Sequence, residues 1–524
     1  MYKMKYSNYD KILVPKEFYI YFRGESLILV TEKYENPSPK QKEEYHKLFV
    51  HILNHNWFSR GKDEIEKNIR YNKFCPISRD FIRGNFHSRL SLYSQYGLEI
   101  FDTTNYNIEK ALSREYRFKR KVISQLNYFL IENYTNLVRL TDGKKVGSIK
   151  IKTNITTFIE KDGIKHNQPL FLVNAIKALS PAPLNTAYTQ KYLKHVNTLA
   201  GNVAEDSVLG RKYDKILASI MKFGIAIMPY TESIVNSNTR LFHASYEIST
   251  TGRIYGLLGG FQGCPRYIKH ILLKDIECYN YDMANAHISI LLLEFEYCNL
   301  DTKWIRTYLK RGKEYYAKEL GVSTSIWKKC VYALAMGGSL RKYVTVKNRL
   351  QKGAVYGILY NNNPSSAGRL LLKFKKMTKD FITVRDRWYK IILYTYNKRY
   401  HYKSNGKTHW KNACGKHFKR INYDKIASSD LKAQWKRKIP AFIVQGMEAC
   451  FIHHITIICD ANNIKVFHNE HDGIITDKKI PQKLVDIAIE KSGLTTAVLR
   501  LKPICTDKDI KKYKIGRHKG YKNG

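Results

Sequence analysis

The segment 467–477, FHNEHDGIITD, constrains the fold of this chain more than any other stretch. Its Asp472-Gly473 pair stands between two apolar runs, and in that setting an Asp-Gly pair predicts a tight β-hairpin. The same segment crowds two histidines and a glutamate beside Asp472, which suits a carboxylate held rigidly for metal binding. The segment therefore predicts a hairpin and raises the possibility of an active site at its tip.

The net positive charge of the chain limits the classes of molecule that it is expected to bind. Among 524 residues, Lys and Arg number 90 against 45 Asp and Glu, and the excess extends from end to end. A globular protein with this much like charge is expected to bind a polyanion, either nucleic acid or an anionic membrane surface. The length itself predicts two to four domains of roughly 150 residues each.

Targeting signals are not recognisable in the sequence. There is no run of about 18 uncharged apolar residues, so we expect no membrane-spanning helix and no membrane partner. The first 18 residues lack the apolar stretch of a secretory signal. Nine cysteines without a CxxC pair indicate reduced thiols. These features predict an intracellular, soluble protein of a bacterial or host cytoplasm or an organelle matrix.

The hydrophobic pattern gives a coarse outline of the chain. Apolar residues at helical spacing predict one or two long helices in 107–140 and another in 207–228. A buried strand followed by a helix is predicted in 271–300. The segment 385–440 interleaves aromatic residues with cations, which suits phosphate binding and base stacking but equally suits a solvated insertion. Beyond Ile480 a helix and a strand are expected.

Four motifs in the second half carry candidate chemistry, although each alone is also explained by packing or a turn. They are TTGRIYG with Arg253, YDMANAHISIL with Asp282 and His287, WKKCVYALAMGGSL with Lys328 and Tyr332, and IPAFIVQGMEACFIHHITIICD with Gln445. Lys328 and Tyr332 are four residues apart, which predicts that they share one helical face.

The order of these motifs resembles that of family A DNA polymerases, the class that includes bacterial DNA polymerase I. The resemblance covers roughly 245–524. It implies an α+β right-hand polymerase fold with palm, fingers and thumb and an additional N-terminal region. The implied parts are an N-terminal region of unknown role (1–106), a helical thumb-like region (107–245), a first palm part (246–300), fingers with a basic insertion (301–439), and a second palm part with a basic tail (440–524).

The resemblance implies template-directed DNA synthesis, with primer–template DNA and deoxynucleotides (dNTPs) as partners. Asp282 and Asp472 match the family's metal-binding aspartates, which would bind two Mg²⁺ ions. Nucleotidyl transfer needs two divalent ions about 3.5–4 Å apart, one at the primer 3′-hydroxyl and one at the triphosphate. Two carboxylates about 4 Å apart repel by about 4 kcal/mol at an effective dielectric of 20, so such a pair is rarely kept for stability.

The remaining roles follow from the same resemblance. Lys328 matches the lysine that contacts the triphosphate, and Tyr332 matches the aromatic residue beside the incoming sugar. Arg253 and Gln445 match residues that reach minor-groove acceptors at the primer terminus, which all base pairs share. His471 matches the histidine beside the catalytic aspartate.

The chain departs from the family pattern at several positions. His287 occupies the place of a glutamate that crowds the sugar 2′ position, so it is either a steric gate favouring deoxynucleotides or a residue that packs the helix. An arginine expected four residues before Lys328 is Thr324. The acid expected after Asp472 is Gly473, which leaves two carboxylates, enough for two metal ions. Met336 replaces the tyrosine of a Tyr-Gly pair.

The sequence was also searched for two other kinds of site, and it supports neither a 3′–5′ exonuclease motif nor a standard zinc site. The first 240 residues lack the Asp-x-Glu start of a 3′–5′ exonuclease, so we expect no proofreading from this chain. His401, His409, Cys414 and His417 could be drawn as zinc ligands, but their spacing fits no standard pattern.

Two other functions remain open from the sequence. A single-subunit phage-type RNA polymerase is favoured by the wording GRIY and opposed by His287. A non-catalytic, basic nucleic-acid-binding protein is opposed by the presence of both aspartates and Lys328. The composition and the absent exonuclease motif suggest a phage, plasmid or other mobile element as the source.

Overall fold

The computed structural model describes most of the second half of the chain and parts of the first. The described residues are 12–31, 34–57, 75–76, 98–101, 115–132, 137–145, 160–161, 164–165, 169–204, 207–228, 231–233, 239–244, 246–256, 261–346, 349–404, 406–419 and 429–513. They combine helices with antiparallel sheets, which agrees with the predicted α+β class.

The helices are α1 (Lys16–Thr31), α2 (Pro39–Trp57), α3 (Arg120–Glu132), α4 (Leu170–Lys177), α5 (Thr186–Gly201), α6 (Val208–Ile227), α7 (Arg266–Leu272), α8 (Ala286–Tyr297), α9 (Lys303–Leu320), α10 (Thr324–Ala335), α11 (Ala354–Asn362), α12 (Ala367–Met377), α13 (Lys379–Tyr394), α14 (Ser429–Ala461), α15 (Gln482–Ser492) and α16 (Asp507–Tyr513).

The strands are β1 (Leu13–Pro15), β2 (Cys75–Pro76), β3 (Leu98–Phe101), β4 (Glu115–Phe118), β5 (Leu137–Arg139), β6 (Glu160–Lys161), β7 (Ile164–Lys165), β8 (Ala182–Asn185), β9 (Thr231–Ser233), β10 (Thr239–Phe242), β11 (Tyr246–Ile248), β12 (Ile254–Gly256), β13 (Tyr279–Met283), β14 (Tyr343–Val346), β15 (Arg349–Lys352), β16 (His401–Ser404), β17 (Lys407–Lys411), β18 (His417–Lys419), β19 (Val466–Asn469), β20 (Gly473–Thr476) and β21 (Leu499–Lys502).

A four-stranded antiparallel sheet positions the predicted aspartates. Its strand order is β19, β20, β13, β21, so β13 lies between the predicted hairpin and the last strand of the sheet. Asp282 is paired with Gly473 on one side and with Arg500 on the other. Two segments that are almost two hundred residues apart in sequence therefore meet across one strand pair.

The two faces of this central sheet pack into different hydrophobic clusters. Tyr281, Met283 and Ile474 join a large cluster formed mainly by α8 to α15. Phe467 and Ile475 join a second cluster formed mainly by residues from the first 280 positions. Because neighbouring residues of a strand point to opposite faces, the sheet connects the two halves of the chain.

The long helix α14 is the main core element beneath the sheet. It continues through Pro440, and its residues from Ile439 to Cys459 are mostly buried. Its segment Arg437–Ala461 is long and apolar enough to cross a membrane by length and composition. Of the most apolar window of this segment, 83% is buried inside the protein, which is the environment of a core helix.

Two segments test the helical predictions for the first half. The predicted helix in 207–228 is confirmed as α6, whose first turn is capped by the Ser207 hydroxyl. The long helices predicted in 107–140 were wrong in extent, because among the described residues of that range, 115–132 and 137–140, only the 13 residues of α3 are helical. Residues Glu115–Phe118 instead pair with β3, and Leu137–Arg139 pair with β1. Pairing with distant strands outweighed the local helical pattern.

The basic segment 385–440 also contains structure that its composition did not predict. Strands β16, β17 and β18 form a three-stranded sheet, with Trp410 buried beneath it. Asn412 lies directly after β17, and its side-chain amide donates to the carbonyls of Thr251 and Phe442 at 2.9 and 3.2 Å. This small sheet therefore holds the Arg253 turn against α14.

Candidate active site

The predicted hairpin exists, but its glycine serves a different purpose from the one expected. The connection between β19 and β20 is the three-residue loop 470–472, and His471, with φ of 73°, takes the left-handed conformation. Gly473 is already the first residue of β20. A Cβ atom at Gly473 would overlap the carbonyl oxygen of Tyr281. Glycine is required there because β13 approaches closely, not because a turn needs a positive φ.

The same close approach brings the backbone of Asp472, the last residue of the hairpin loop, beside Asp282 on β13. The backbone N–H of Met283 donates to the carbonyl of Asp472 at 2.6 Å, directly beside the Asp282–Gly473 pair. The Asp282 side chain forms an ion pair with Lys502 of β21 and is 28% exposed. Its carboxylate is thus accessible from solvent and already has one cationic partner.

Asp472 lies in more buried surroundings than Asp282. Burial raises the pKa of Asp472, whereas Lys328, Arg253 and Arg266 act to lower it. These three cations come from α10, the β11–β12 turn and the start of α7. Three separate elements therefore direct positive charge at one carboxylate, which is an arrangement that can also hold an anionic phosphate group.

The donor set fits Mg²⁺ in part. Within the described residues no three His, Cys, Asp or Glu side chains are grouped so that they could hold a metal ion. The backbones of Asp282 and Asp472 nevertheless lie side by side at one edge of the sheet, which makes their carboxylates the two candidate oxygen ligands. Mg²⁺ commonly binds through one or two carboxylates, with waters and substrate phosphates completing its shell. The chain thus offers a site that a phosphate-bearing substrate would complete.

Helix α10 presents Lys328 and Tyr332 on one face, as their spacing predicted. The Ser323 hydroxyl caps its first turn, and the opposite face, including Trp327 and Val331, is fully buried. The Lys328 ammonium lies 5.2 Å from the centre of the Tyr332 ring, and that ring lies 5.2 Å from the ring of His287. The helix therefore brings a cation and an aromatic ring to the edge of the site.

His287 contacts two charged residues as well as Tyr332. Its Nε2 is 3.3 Å from Nη2 of Arg253 and 3.6 Å from Oε1 of Glu448. Burial and the charges of Arg253 and Lys328 lower the pKa of His287 to about 4, so its ring is neutral at pH 7. Because a guanidinium has only donors, Nε2 accepts and the ring proton is assigned to Nδ1.

Glu448 is a residue of this site that the motif analysis missed. Its carboxylate, only 2% exposed, forms an ion pair with Arg253. Burial and the charge of Asp472 raise the pKa of Glu448 to about 7, while Arg253 opposes the shift. One signal was present in the sequence: Glu448 is the only Lys, Arg, Asp or Glu between Lys438 and Asp460. A single acid inside an otherwise apolar helix needs a buried partner.

His471 and Gln445 have fewer contacts with the other predicted site residues than Arg253, His287 or Tyr332 have. The His471 ring lies 4.5 Å from the ring of Tyr255, a second neighbour that the sequence did not indicate. Tyr255 also acts to raise the pKa of Arg253. Gln445 is half-buried and lies on α14, about one turn before Glu448. It shares the helix face with Glu448, and within the described residues no hydrogen bond is found between its side chain and the other predicted site residues.

The turn that carries Arg253 is fixed by a contact with α14. The ring of His453 bonds to the carbonyl of Gly252 through Nε2 at 2.9 Å. Gly252 has φ of 90°, and a Cβ there would overlap Cys414. The Thr-Gly-Arg motif is therefore a fixed backbone turn that leaves the Arg253 side chain facing Glu448 and His287.

The four residues considered as zinc ligands do not converge. His401 lies beside Asn397, and His409 and His417 both contact the Tyr402 ring. The Cys414 thiol donates to the carbonyl of Gly446 and packs with Leu172 and Cys450.

Comparisons with known proteins add little. No family model matches the chain, and no curated protein matches it. Among solved structures, the chain is similar to the POL domain of Pol1 from M. smegmatis in complex with DNA primer-template and dNTP. The TM-score is 0.36 at 10% identity, and the match covers 73% of this chain and 63% of that chain, less than two thirds of its length.

Proposed function

We propose that this chain is a template-directed DNA polymerase that adds deoxynucleotides to a primer 3′-hydroxyl by two-metal nucleotidyl transfer. One observation carries the proposal: the β13–β20 register puts Asp282 and Asp472 at neighbouring positions, and the charge of Lys328 on α10 acts on the Asp472 carboxylate. Carboxylates that bind metal and a lysine that binds phosphate are needed together for this reaction.

Asp282 and Asp472 would hold the metal ions, which would supply charge stabilisation at the attacking hydroxyl and the leaving pyrophosphate. Asp282 must then exchange its ion pair with Lys502 for metal coordination. Lys328 neutralises negative charge on the triphosphate side, where charge accumulates as pyrophosphate leaves. In the proposed hand, the central sheet belongs to the palm and α9 to α13 belong to the fingers.

The nucleotide sugar would lie against Tyr332 and His287. Their ring centres are 5.2 Å apart, and the neutral imidazole adds bulk without charge. This supports His287 as the steric gate that favours deoxynucleotides. Arg253 and Gln445 would face the primer terminus, with His471 beside Asp472 completing that side.

A second candidate function has one observation in its favour. The Asp282–Lys502 ion pair is also what a site without metal would retain, so a non-catalytic nucleic-acid-binding protein would explain it. Catalysis and binding are separated by comparing Asp472→Asn with wild type, since loss of one carboxylate should remove extension and leave primer–template binding intact.

The deciding experiment is primer extension with Mg²⁺ on DNA and RNA templates, with deoxynucleotides or ribonucleotides. We expect wild type to extend a DNA primer on a DNA template, with deoxynucleotides preferred. Asp472→Asn should lower extension by about a thousandfold or more. Asp460→Asn, an exposed position at the end of α14, is the matched control and should extend normally. Extension by Asp472→Asn at the wild-type rate would refute the assignment, and a preference for ribonucleotides would indicate an RNA polymerase.

A further inference from the structure

Glu448 occupies a position that stability alone does not favour. It lies on α14 with 1% of its surface exposed, inside the main hydrophobic core. A second acid, Asp472, acts on it through its charge. Burying an ion pair costs solvation free energy that the pairing often fails to recover, and apolar replacements of similar volume are frequently as stable. A further acid nearby adds repulsion, so the fold has no evident stability reason to keep this carboxylate.

The contacts of Glu448 join two residues that the proposed reaction uses. One carboxylate oxygen accepts from Nη2 of Arg253, and the other is 3.6 Å from Nε2 of His287. Nη2 of Arg253 also lies 3.3 Å from the same imidazole nitrogen. Glu448, Arg253 and His287 thus form a closed triangle of polar contacts, in which the acid fixes the plane of the guanidinium and the direction of the ring.

Two donors of this triangle have no acceptor in the described part of the structure. Nε of Arg253 and Nδ1 of His287 are buried, and neither has a hydrogen-bond partner. With Nε2 of His287 accepting, Nδ1 carries the proton, so both groups are N–H donors. Buried donors without partners are costly, and their occurrence in pairs at a functional site indicates a ligand with acceptor atoms.

The acceptors required by the proposed function match these donors. The minor-groove edge of every base pair presents purine N3 or pyrimidine O2, and the sugars add ring and hydroxyl oxygens. An arginine and a histidine held by one buried acid could engage such atoms only when the terminal pair and its sugar have the correct shape.

We propose that Glu448 is a positioning residue that holds Arg253 and His287 so that their unpartnered N–H groups engage the primer terminus and the incoming sugar. This inference rests on the proposed polymerase function. It assigns terminus and sugar discrimination to a buried acid on α14 that itself touches neither substrate. Removing the carboxylate should therefore relax discrimination more than it slows correct extension.

The test compares Glu448→Gln and Glu448→Ala with wild type in single-nucleotide extension. The measured quantities are kcat and KM for the matched deoxynucleotide, the deoxynucleotide-to-ribonucleotide ratio, and the ratio of matched to mismatched primer termini. For Glu448→Ala we expect both ratios to fall about tenfold or more, with kcat on the correct substrate lowered about threefold. Glu448→Gln keeps an acceptor for Arg253 and should recover most of both ratios.

The matched control is Glu294→Gln together with Glu294→Ala. Glu294 is also a fully buried acid, and it pairs with Arg399 at 2.6 Å on the far end of α8. Its variants report the general cost of breaking a buried ion pair and should leave both ratios unchanged. Thermal unfolding of all variants identifies any that fail to fold, and Glu448→Gln remains informative if Glu448→Ala does not fold.

The outcomes separate this inference from the proposed function. If wild type extends primers and both Glu448 variants retain wild-type ratios, the positioning role is wrong and the polymerase proposal stands. Equal loss of the ratios in the Glu294 variants would also overturn it. If wild type extends no primer under any condition, both proposals fall together.

Discussion

The central sheet and the segment from Leu320 to Lys379 differ in their acidic residues: the first gathers several, and the second has none. The sheet and its neighbouring helix bring together four acids, namely Asp282, Glu448, Glu470 and Asp472. The segment from Leu320 to Lys379 contains no Asp, Glu or His, yet it contains twelve cations. These are Lys328, Lys329, Arg341, Lys342, Lys347, Arg349, Lys352, Arg369, Lys373, Lys375, Lys376 and Lys379. We call this segment, which spans α10 to the first residue of α13, the acid-free segment.

The difference shows which charges are matched within the protein. Three of the four acids pair with a cation of the chain: Asp282 with Lys502, Glu448 with Arg253, and Glu470 with Lys269. The fourth, Asp472, is influenced by the charges of three cations. The acid-free segment can offer its cations no acidic partner of its own. The acids of this basic chain are therefore matched by cations at the sheet, whereas the acid-free segment keeps an excess of positive charge.

The acid-free segment also exposes apolar and aromatic surface. Strands β14 and β15 form a two-stranded ribbon directly after α10, and Leu350 on it is 72% exposed while Tyr343 is 48% exposed. The Tyr343 ring contacts Tyr356, whose ring contacts Tyr360, and the Lys352 ammonium lies 3.7 Å from the Tyr360 ring centre. Unpaired bases stack on such rings, whereas duplex DNA offers them no base faces.

Neutralising cations in and just before the ribbon should produce the largest effect on nucleic-acid binding. Arg341, Lys342 and Lys352 are exposed, and replacing all three by Gln removes three positive charges. At about 0.1 M salt we expect affinity for a primer–template with a single-stranded overhang to fall about 30- to 100-fold, and the salt slope to decrease by about two. Fluorescence anisotropy across a salt series measures both quantities.

A matched control for that variant lies on α15 and in the segment just before it. Lys479, Lys483 and Lys491 are equally exposed, but Asp486 and Glu490 lie among them. The triple Gln variant at these positions loses the same net charge, so a similar loss of affinity would mean that overall charge, and not the acid-free segment, drives binding. Blunt-ended duplex should also distinguish the two variants less than an overhang does.

Local pattern predicted the parts of the site that lie within one element. The spacing of Lys328 and Tyr332 predicted a shared helical face, and the Asp-Gly pair predicted the hairpin. The contacts that complete the site join residues far apart in sequence, such as Arg253 with Glu448 and Asp282 with Lys502. Neither periodicity nor turn chemistry carries information on those pairs, because they depend on how the sheet is assembled. The role of Gly473 was misread for the same reason.

The ion pair between Lys502 and Asp282 provides a test on the acidic side of the comparison, at the central sheet. Its ion pair occupies the Asp282 carboxylate that the metal would use, and the two side chains are 42% and 28% exposed. A partly exposed pair of this kind is worth about 1 kcal/mol. Lys502→Met should therefore lower the Mg²⁺ concentration for half-maximal primer extension about fivefold. Lys508→Met, on α16, is the control for lost surface charge.

The opposite result for Lys502 would also be informative. If Lys502→Met raises the required Mg²⁺ concentration or abolishes extension, the ammonium assists the reaction and does not compete with metal. The central sheet would then contribute a substrate-binding cation of its own, and would no longer differ from the acid-free segment in this respect.

The smallest expected effect is a loss of folding stability as the pH falls, which we attribute to His453 on α14, beneath the central sheet. Burial lowers the pKa of His453 to about 4, against an ordinary value of about 6.5. The unfolded chain therefore takes up a proton before the folded chain does. The contribution to stability is complete above pH 6.5 and is lost as the pH falls toward 4. Between pH 7.5 and 5.5 this single group should lower the free energy of unfolding by about 1 kcal/mol.

His453→Gln can retain a donor to the Gly252 carbonyl without titrating, so its loss of stability over that pH range should be smaller by the same amount. His195→Gln, an exposed position on α5, is the control and should behave as wild type. Urea unfolding at the two pH values measures the difference. Because the acid-free segment contains no Asp, Glu or His, we expect binding of single-stranded DNA to stay constant while stability falls. A parallel loss of binding in the folded protein would show that the two regions are not independent.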